Sequence, residues 1–152
     1  MDVGTWQVGK PTGGPGTAYD GTNCAATGLA GSYNANVDSR LISPFFVVPT
    51  ADQNPRLRFW HWFTTQLTYD YGEVQIRTNG GSWVTISPAY SGYSGGWTQP
   101  SIDLSAYAGQ AVQLAFYFHS DGGGQAGGWF VDDVTVVTGA IMTLTPNVPW
   151  NF

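Results

Sequence analysis

The hydrophobic and polar positions of this chain alternate with a period of two. Along Arg56–Thr64 (RLRFWHWFT), Leu57, Phe59, His61 and Phe63 fall on one face and Arg58, Trp60 and Trp62 on the other. Side chains of a strand point to opposite faces in turn, so this pattern predicts a half-buried β-strand. Residues 72–78 repeat it, with Val74 and Ile76 inward and Glu73, Gln75 and Arg77 outward. Asn79-Gly80 then supplies residues suited to positive φ, and residues 82–86 return as the partner strand of a hairpin. In Ala111–His119, Val112, Leu114, Phe116 and Phe118 face in, while Gln113, Ala115, Tyr117 and His119 face out.

Shorter strands are predicted at residues 5–8, 40–48, 97–104 and 140–145. Pro44 marks residues 40–48 as an edge strand or a bulge, since proline donates no ladder hydrogen bond. Residues 11–33 are rich in Gly, Thr and Asn with few large apolar groups, which predicts a long structured loop carrying short β pieces. A loop of that length is usually functional or pinned by something. Nine or ten short strands with regular turn signals and no helical periodicity predict an all-β fold, a β-sandwich.

Residues 127–136 read GGWFVDDVTV and form the strand around which the rest is organised. In a regular strand Asp132 and Asp133 must face opposite ways, and one of them is then directed inward. An inward carboxylate needs a cation, a set of backbone N–H donors, or a bulge that turns it out.

The 152 residues suit one domain with a real core. Charged residues make up only 10% and the net charge is −5, so no basic patch is available for nucleic acid. No apolar run approaches the ~18 residues that span a bilayer, and no amphipathic membrane segment is visible. Cys24 is alone, which excludes an internal disulfide and a cysteine zinc site. Met1 reads as an initiator placed on a cut-out domain, so the lack of a visible signal peptide says little.

The ordered motifs resemble a known group. They run W-x-V-G-x-P from Trp6, GP-x-x-A from Gly14, L-x-G-x-Y from Leu29 and SRLISP from Ser39. L-x-F-x-H-W-F from Leu57, YDYGEVQI with NGGSWVTI, a spaced Trp97, IDLSAYAGQ and GGWFVDDV follow. The chain resembles, over roughly residues 6–137, the jelly-roll modules of bacterial secreted and surface proteins, including those of immune inhibitor A-type metallopeptidases. It is similar in plan to MAM domains. The resemblance implies a jelly-roll β-sandwich of two antiparallel sheets, extracytoplasmic and non-catalytic, at residues 1–139. Residues 140–152 are then a last strand, tail or linker toward a neighbouring domain of a parent protein.

Two departures stand out. The first strand usual in the group is missing at the start, while Pro149-Trp150-Asn151-Phe152 resembles its opening. The resemblance also implies a structural calcium near the last strand, but the expected aspartate position falls near Ala18. Asp133, helped by Asp20 in place of the missing aspartate, Asn23 and loop carbonyls, is the candidate ligand set, since Ca²⁺ takes hard oxygen donors. The competing reading makes both aspartates fold residues that accept backbone N–H bonds.

The candidate ligand face consists of Arg58, Trp60, Trp62, Gln75, Arg77 and Tyr117, with Glu73 and His119 nearby. Flat rings stack on sugar CH faces and planar polar groups bond hydroxyls, so a polysaccharide or glycan is the expected partner. The three strands are expected to share one sheet. Alternatively the tryptophans are covered by residues 90–97 and form a minor core; Tyr90, Tyr93 and Trp97 are further candidate contacts. A spacer or adhesion role is the second functional expectation. For catalysis, His61 and His119 lack a metallopeptidase context, and nothing pairs Asp70, Glu73, Asp103 and Asp121 across a cleft. The glycines of DGGGQAGG lack the following Lys-Ser/Thr of a phosphate loop.

Overall fold

The computed structural model describes residues 5–139. Among these residues ten strands form: β1 (Gln7–Gly9), β2 (Cys24–Ala26), β3 (Asp38–Ile42), β4 (Phe46–Val47), β5 (Arg56–Thr64), β6 (Tyr71–Thr78), β7 (Val84–Thr85), β8 (Ser101–Asp103), β9 (Ala111–His119) and β10 (Gly128–Val137). Sheet A runs β1-β2-β10-β5-β8. Sheet B runs β3-β9-β6-β7, with β4 also on β9. Every pairing between these strands is antiparallel, so the fold is the expected all-β sandwich of two sheets. The strand and tail expected at residues 140–152 lie outside the described residues.

The alternation puts its apolar set between the sheets. Leu57, Phe59, Val74, Ile76, Val112, Phe118 and Trp129 are all fully buried there. Trp129 sits among Trp6, His61, Tyr90 and Phe116, its ring centroid 5.6 to 6.3 Å from theirs. Gly72 of sheet B lies against this indole, where a Cβ would stand 2.3 Å from Trp129 Cε3. Tyr90 also packs on His61 at 4.6 Å, which makes it a core residue rather than a ligand contact.

The break at Pro44 takes a specific form. Strand pairing with β9 stops at Ile42 and resumes at Phe46. Between them the Leu114 N–H donates to Ser43 Oγ at 2.9 Å, and Ser43 N–H donates to Leu114 O at 2.8 Å. A hydroxyl thus stands in for the missing ladder partner. The hairpin of β6 and β7 pairs Ile76 with Val84, and Asn79 and Gly80 take φ of 45° and 70° at its turn.

Three loops converge on one carboxylate. Asp70 is fully buried and accepts hydrogen bonds from Tyr33 Oη at 2.5 Å and from the Asp121 N–H at 2.8 Å. These bonds join the segments before β3, before β6 and after β9. Burial and the bond to Asp70 push the Tyr33 phenol well above its ordinary range.

Candidate functional site

The two aspartates of β10 are accommodated by a bulge. Asp132 pairs with Trp60 and Thr135 with Arg58, so Asp133 and Val134 together face the single residue Phe59. Asp133 takes φ of 48°, a left-handed conformation that aspartate tolerates better than most residues. The extra residue moves the Asp133 side chain, inward in a regular strand, out to solvent. Asp132 remains on the outer face of sheet A and takes backbone donors: the Asp133 N–H at 2.8 Å and the Asp20 N–H at 3.0 Å. Two of the three solutions open to the strand are therefore used at once.

That arrangement bears on the expected calcium ligands Asp133, Asp20 and Asn23. All three are exposed, and among the described residues no three metal-ligating side chains converge. Asp132 adds a tie between residues 11–33 and β10, through Asp20's backbone rather than its carboxylate, beside the β2 pairing and the Thr27–Trp129 bonds. Desolvation and the neighbouring Asp132 and Asp20 raise the Asp133 carboxyl above its usual range.

The six expected ligand residues separate into two groups. Arg58, Trp60 and Trp62 lie on the outer face of sheet A, whereas Gln75, Arg77 and Tyr117 lie on the outer face of sheet B. The chain crosses from one sheet to the other between β5 and β6, so consecutive strands with matching patterns end on opposite sides. The expectation that all three strands share a sheet is corrected accordingly.

On sheet A the tryptophans are half-buried, as the minor-core alternative expected, by Tyr93 and Trp97 of the expected segment together with Tyr19 of the long loop. Tyr19 of the long loop stacks on Trp60 at 3.9 Å with 11° between the planes. Trp62 packs edge-on to Phe130 at 5.5 Å and to Tyr93 at 5.9 Å. Ala18, Cys24, Ala26 and Phe130 form a second buried cluster, with Leu29, Trp62 and Trp97 against it. Burial and the Asp132 charge push the Cys24 thiol up to about 11, so it is an inert core residue. Arg58 donates from Nη2 to Gln99 Oε1 at 2.6 Å.

The outer face of sheet B is organised differently. The Arg40 guanidinium lies over Tyr117 at 4.6 Å and over Trp83 at 5.6 Å, and Arg77 lies over Trp83 at 4.5 Å. The result is a ladder, Tyr117–Arg40–Trp83–Arg77, of alternating rings and cations. Carboxamides hold it in place. Arg40 Nε donates to Gln75 Oε1 at 2.7 Å, and Gln75 Nε2 donates to Glu73 Oε1 at 2.8 Å. Arg77 donates from Nε and Nη2 to Gln113 Oε1, and Gln113 Nε2 is anchored on Ser43 O at 3.0 Å.

Beyond the ladder, Tyr117 Oη donates to Asp38 Oδ1, and Tyr71 packs between Tyr117 and His119. Burial, together with Asp38, holds the Tyr117 phenol far above its ordinary range, so it stays a neutral donor and acceptor. Burial and the charges of Glu73 and Asp38 raise Tyr71 as well.

Sequence reasoning placed Gln75, Arg77, Tyr117, Glu73 and His119 here but missed Arg40, Trp83, Gln113 and Tyr71 as partners. Trp83 was available from the hairpin register, because pairing Ile76 with Val84 sets Trp83 beside Arg77. Arg40 follows from the alternation Asp38, Arg40, Ile42 once β3 is known to lie on β9.

The fold and both faces define an antiparallel jelly-roll sandwich with one covered outer face and one polar–aromatic outer face. Against known proteins, no family model matches the chain. The chain is 34% identical over 131 residues to Bacillopeptidase F of Bacillus subtilis (strain 168), covering 86% of this chain and 9% of that protein. It is 36% identical over 122 residues to the pre-pro-metalloprotease PrtV of Vibrio cholerae serotype O1, covering 74% and 13% respectively. The chain thus spans about a tenth of the length of these curated relatives. Among solved structures, TmCBM61 in complex with β-1,4-galactotriose matches with a TM-score of 0.57 at 15% identity, covering 91% of this chain and 85% of that one. The K2 cleaved adhesin domain of Lys-gingipain matches with the same TM-score at 18% identity, covering 91% and 87%. At such identities these structures share the fold alone.

Proposed function

We propose that this chain is a non-catalytic, extracellular carbohydrate-binding module, an accessory domain of a larger secreted or surface protein, and that the outer face of sheet B is its ligand surface. One observation carries the reading: rings and planar polar groups are fixed together there by the Tyr117–Arg40–Trp83–Arg77 ladder. Glycan recognition uses that combination, and prior bonding of the polar groups lowers the ordering cost of binding. A module that recurs as a small part of peptidases fits an accessory role, bringing its parent to a glycan-bearing surface.

The test is a tryptophan-fluorescence titration with a panel of soluble glycans, repeated on Trp83→Ala. The expected result is saturable quenching or shift in the wild type, lost in the variant while the thermal midpoint changes little. Absence of any glycan response overturns the reading. The second reading is an adhesion or spacer module with a protein partner, favoured by one observation: Leu67, Tyr69 and Tyr93 are more than 60% exposed. On that reading Tyr93→Ser abolishes partner binding and Trp83→Ala does not.

A further inference from the structure

The bonding of the two ladder arginines carries the reading of the site one step further, to the chemical class of its ligand, and rests on the glycan-binding assignment above. A guanidinium has five N–H donors. On Arg77, Nε and Nη2 both address the single oxygen Gln113 Oε1, at 3.0 and 2.9 Å. The side-on edge of the fork is thereby committed. The end-on edge, Nη1 with the second Nη2 hydrogen, has no protein acceptor among the described residues. Arg40 is held through Nε alone, on Gln75 Oε1. Both partners are neutral carboxamides, which orient the cations without neutralising them.

Carboxylates on the same face lie toward its other end. Asp38 accepts from Tyr117, and Glu73 accepts from Gln75 Nε2 and from Thr85 Oγ1. Glu73 shares a cross-strand row with Tyr117 and Arg40, whereas Arg77 lies four residues further along β6, about 13 Å at strand spacing. His119, packed on Tyr71, belongs to the acidic end. The face is therefore polarised. One end offers, beside Trp83, a guanidinium edge with no acceptor among the described residues, and the other offers acceptors suited to sugar hydroxyls.

We infer that the ligand is an acidic polysaccharide of the uronate class. Its carboxylate docks on the end-on edge of Arg77, next to Trp83, and its hydroxyls run toward Glu73 and Asp38. A bidentate guanidinium–carboxylate pair discriminates by geometry as well as by charge, which lysine cannot reproduce.

The experiment measures binding of the whole chain by titration calorimetry at low salt to three polymers: polygalacturonate, fully methyl-esterified polygalacturonate and a neutral β-galactan. The expected result is binding to polygalacturonate at least tenfold tighter than to the esterified polymer. Arg77→Gln should remove that preference, and Arg77→Lys should restore only part of it, with thermal midpoints of both variants unchanged. Equal affinity for the acidic and esterified or neutral polymers, insensitive to Arg77→Gln, overturns the uronate assignment and leaves the glycan module standing. No binding to any of the three or to the wider panel overturns both.

Discussion

Trp129 Nε1–H donates to His61 Nδ1 at 3.1 Å, at the centre of the sandwich and across neighbouring strands β10 and β5. The bond requires a histidine that is unprotonated at Nδ1. Burial lowers the imidazole pKa to about 4, so it stays neutral where an exposed histidine is half charged. An unfolded histidine titrates near 6.5, above the folded value. The neutral core histidine thus contributes stability that is fully present above about pH 6.5 and is lost as pH falls toward 4. The full linkage amounts to about 3 kcal/mol. Urea denaturation at pH 7, 5 and 4 should show a smaller acid loss in His61→Gln than in the wild type, after the shared carboxylate contribution cancels. Parallel losses in the two proteins refute this.

Gly72→Ala should destabilise the fold by about 1–3 kcal/mol or more, because its Cβ meets the Trp129 ring rather than space. Backbone φ is not the reason, since Gly72 does not require a positive angle. A double-mutant cycle with Trp129→Phe isolates the contact: the smaller ring should recover part of the cost of Gly72→Ala. Additive effects would place the strain elsewhere.

Asp70→Ala strands the buried Tyr33 hydroxyl and the part-buried Asp121 N–H, and should cost about 2–5 kcal/mol. Asp70→Asn keeps an acceptor for one of them and should cost less. Tyr33→Phe, which removes a donor instead, should fall below Asp70→Ala. Equilibrium unfolding of the three variants ranks them, and an Asp70→Ala protein as stable as the wild type would show that the three loops are held by other means.

The bulge separates the roles of neighbouring aspartates. Asp132→Ala removes the acceptor of two backbone N–H groups and should lower stability by about 1–3 kcal/mol. Asp133→Gly keeps the left-handed backbone, relieves the crowding among Asp133, Asp132 and Asp20, and should be neutral to stabilising. Thermal melts in Ca²⁺ and in chelator should coincide for the wild type. A calcium-dependent rise that disappears in Asp133→Ala would instead support a metal bound at this strand, since an ion bound only by the folded state raises the midpoint.

Much of this architecture is legible in the residues themselves. The alternation in β5, β6 and β9 predicts the burial of every residue it places inward, although Ala115 and Gln75, placed outward, are covered as well, and the paired aspartates announce an irregularity in β10. The partition between sheets is not legible from alternation, because Trp60 and Gln75 carry the same local signal whichever sheet their strands join. Pairing is decided by the sandwich as a whole, and it brings Arg40 from β3 to Trp83 beside β7. Likewise, the small residues of the long loop hide one cover: Tyr19 stands among Gly, Thr and Asn, yet it stacks over Trp60. Asp70 sits in a turn where a carboxylate ordinarily faces water, and only its distant partners Tyr33 and Asp121 reveal that it is buried.

The place of β10 in sheet A also sets a clock. This strand lies between β2 and β5, and its bonds reach back 102 residues to Thr27 and 112 to Asp20. A chain emerging from its N-terminus carries β2 and β5 for most of its synthesis with the strand that joins them still unmade. Each exposes a row of unpaired amides and carbonyls until residues 128–137 arrive. Closure is therefore a late, long-range event, of the kind that folds slowly. Until then sheet A lacks the strand that joins β2 to β5.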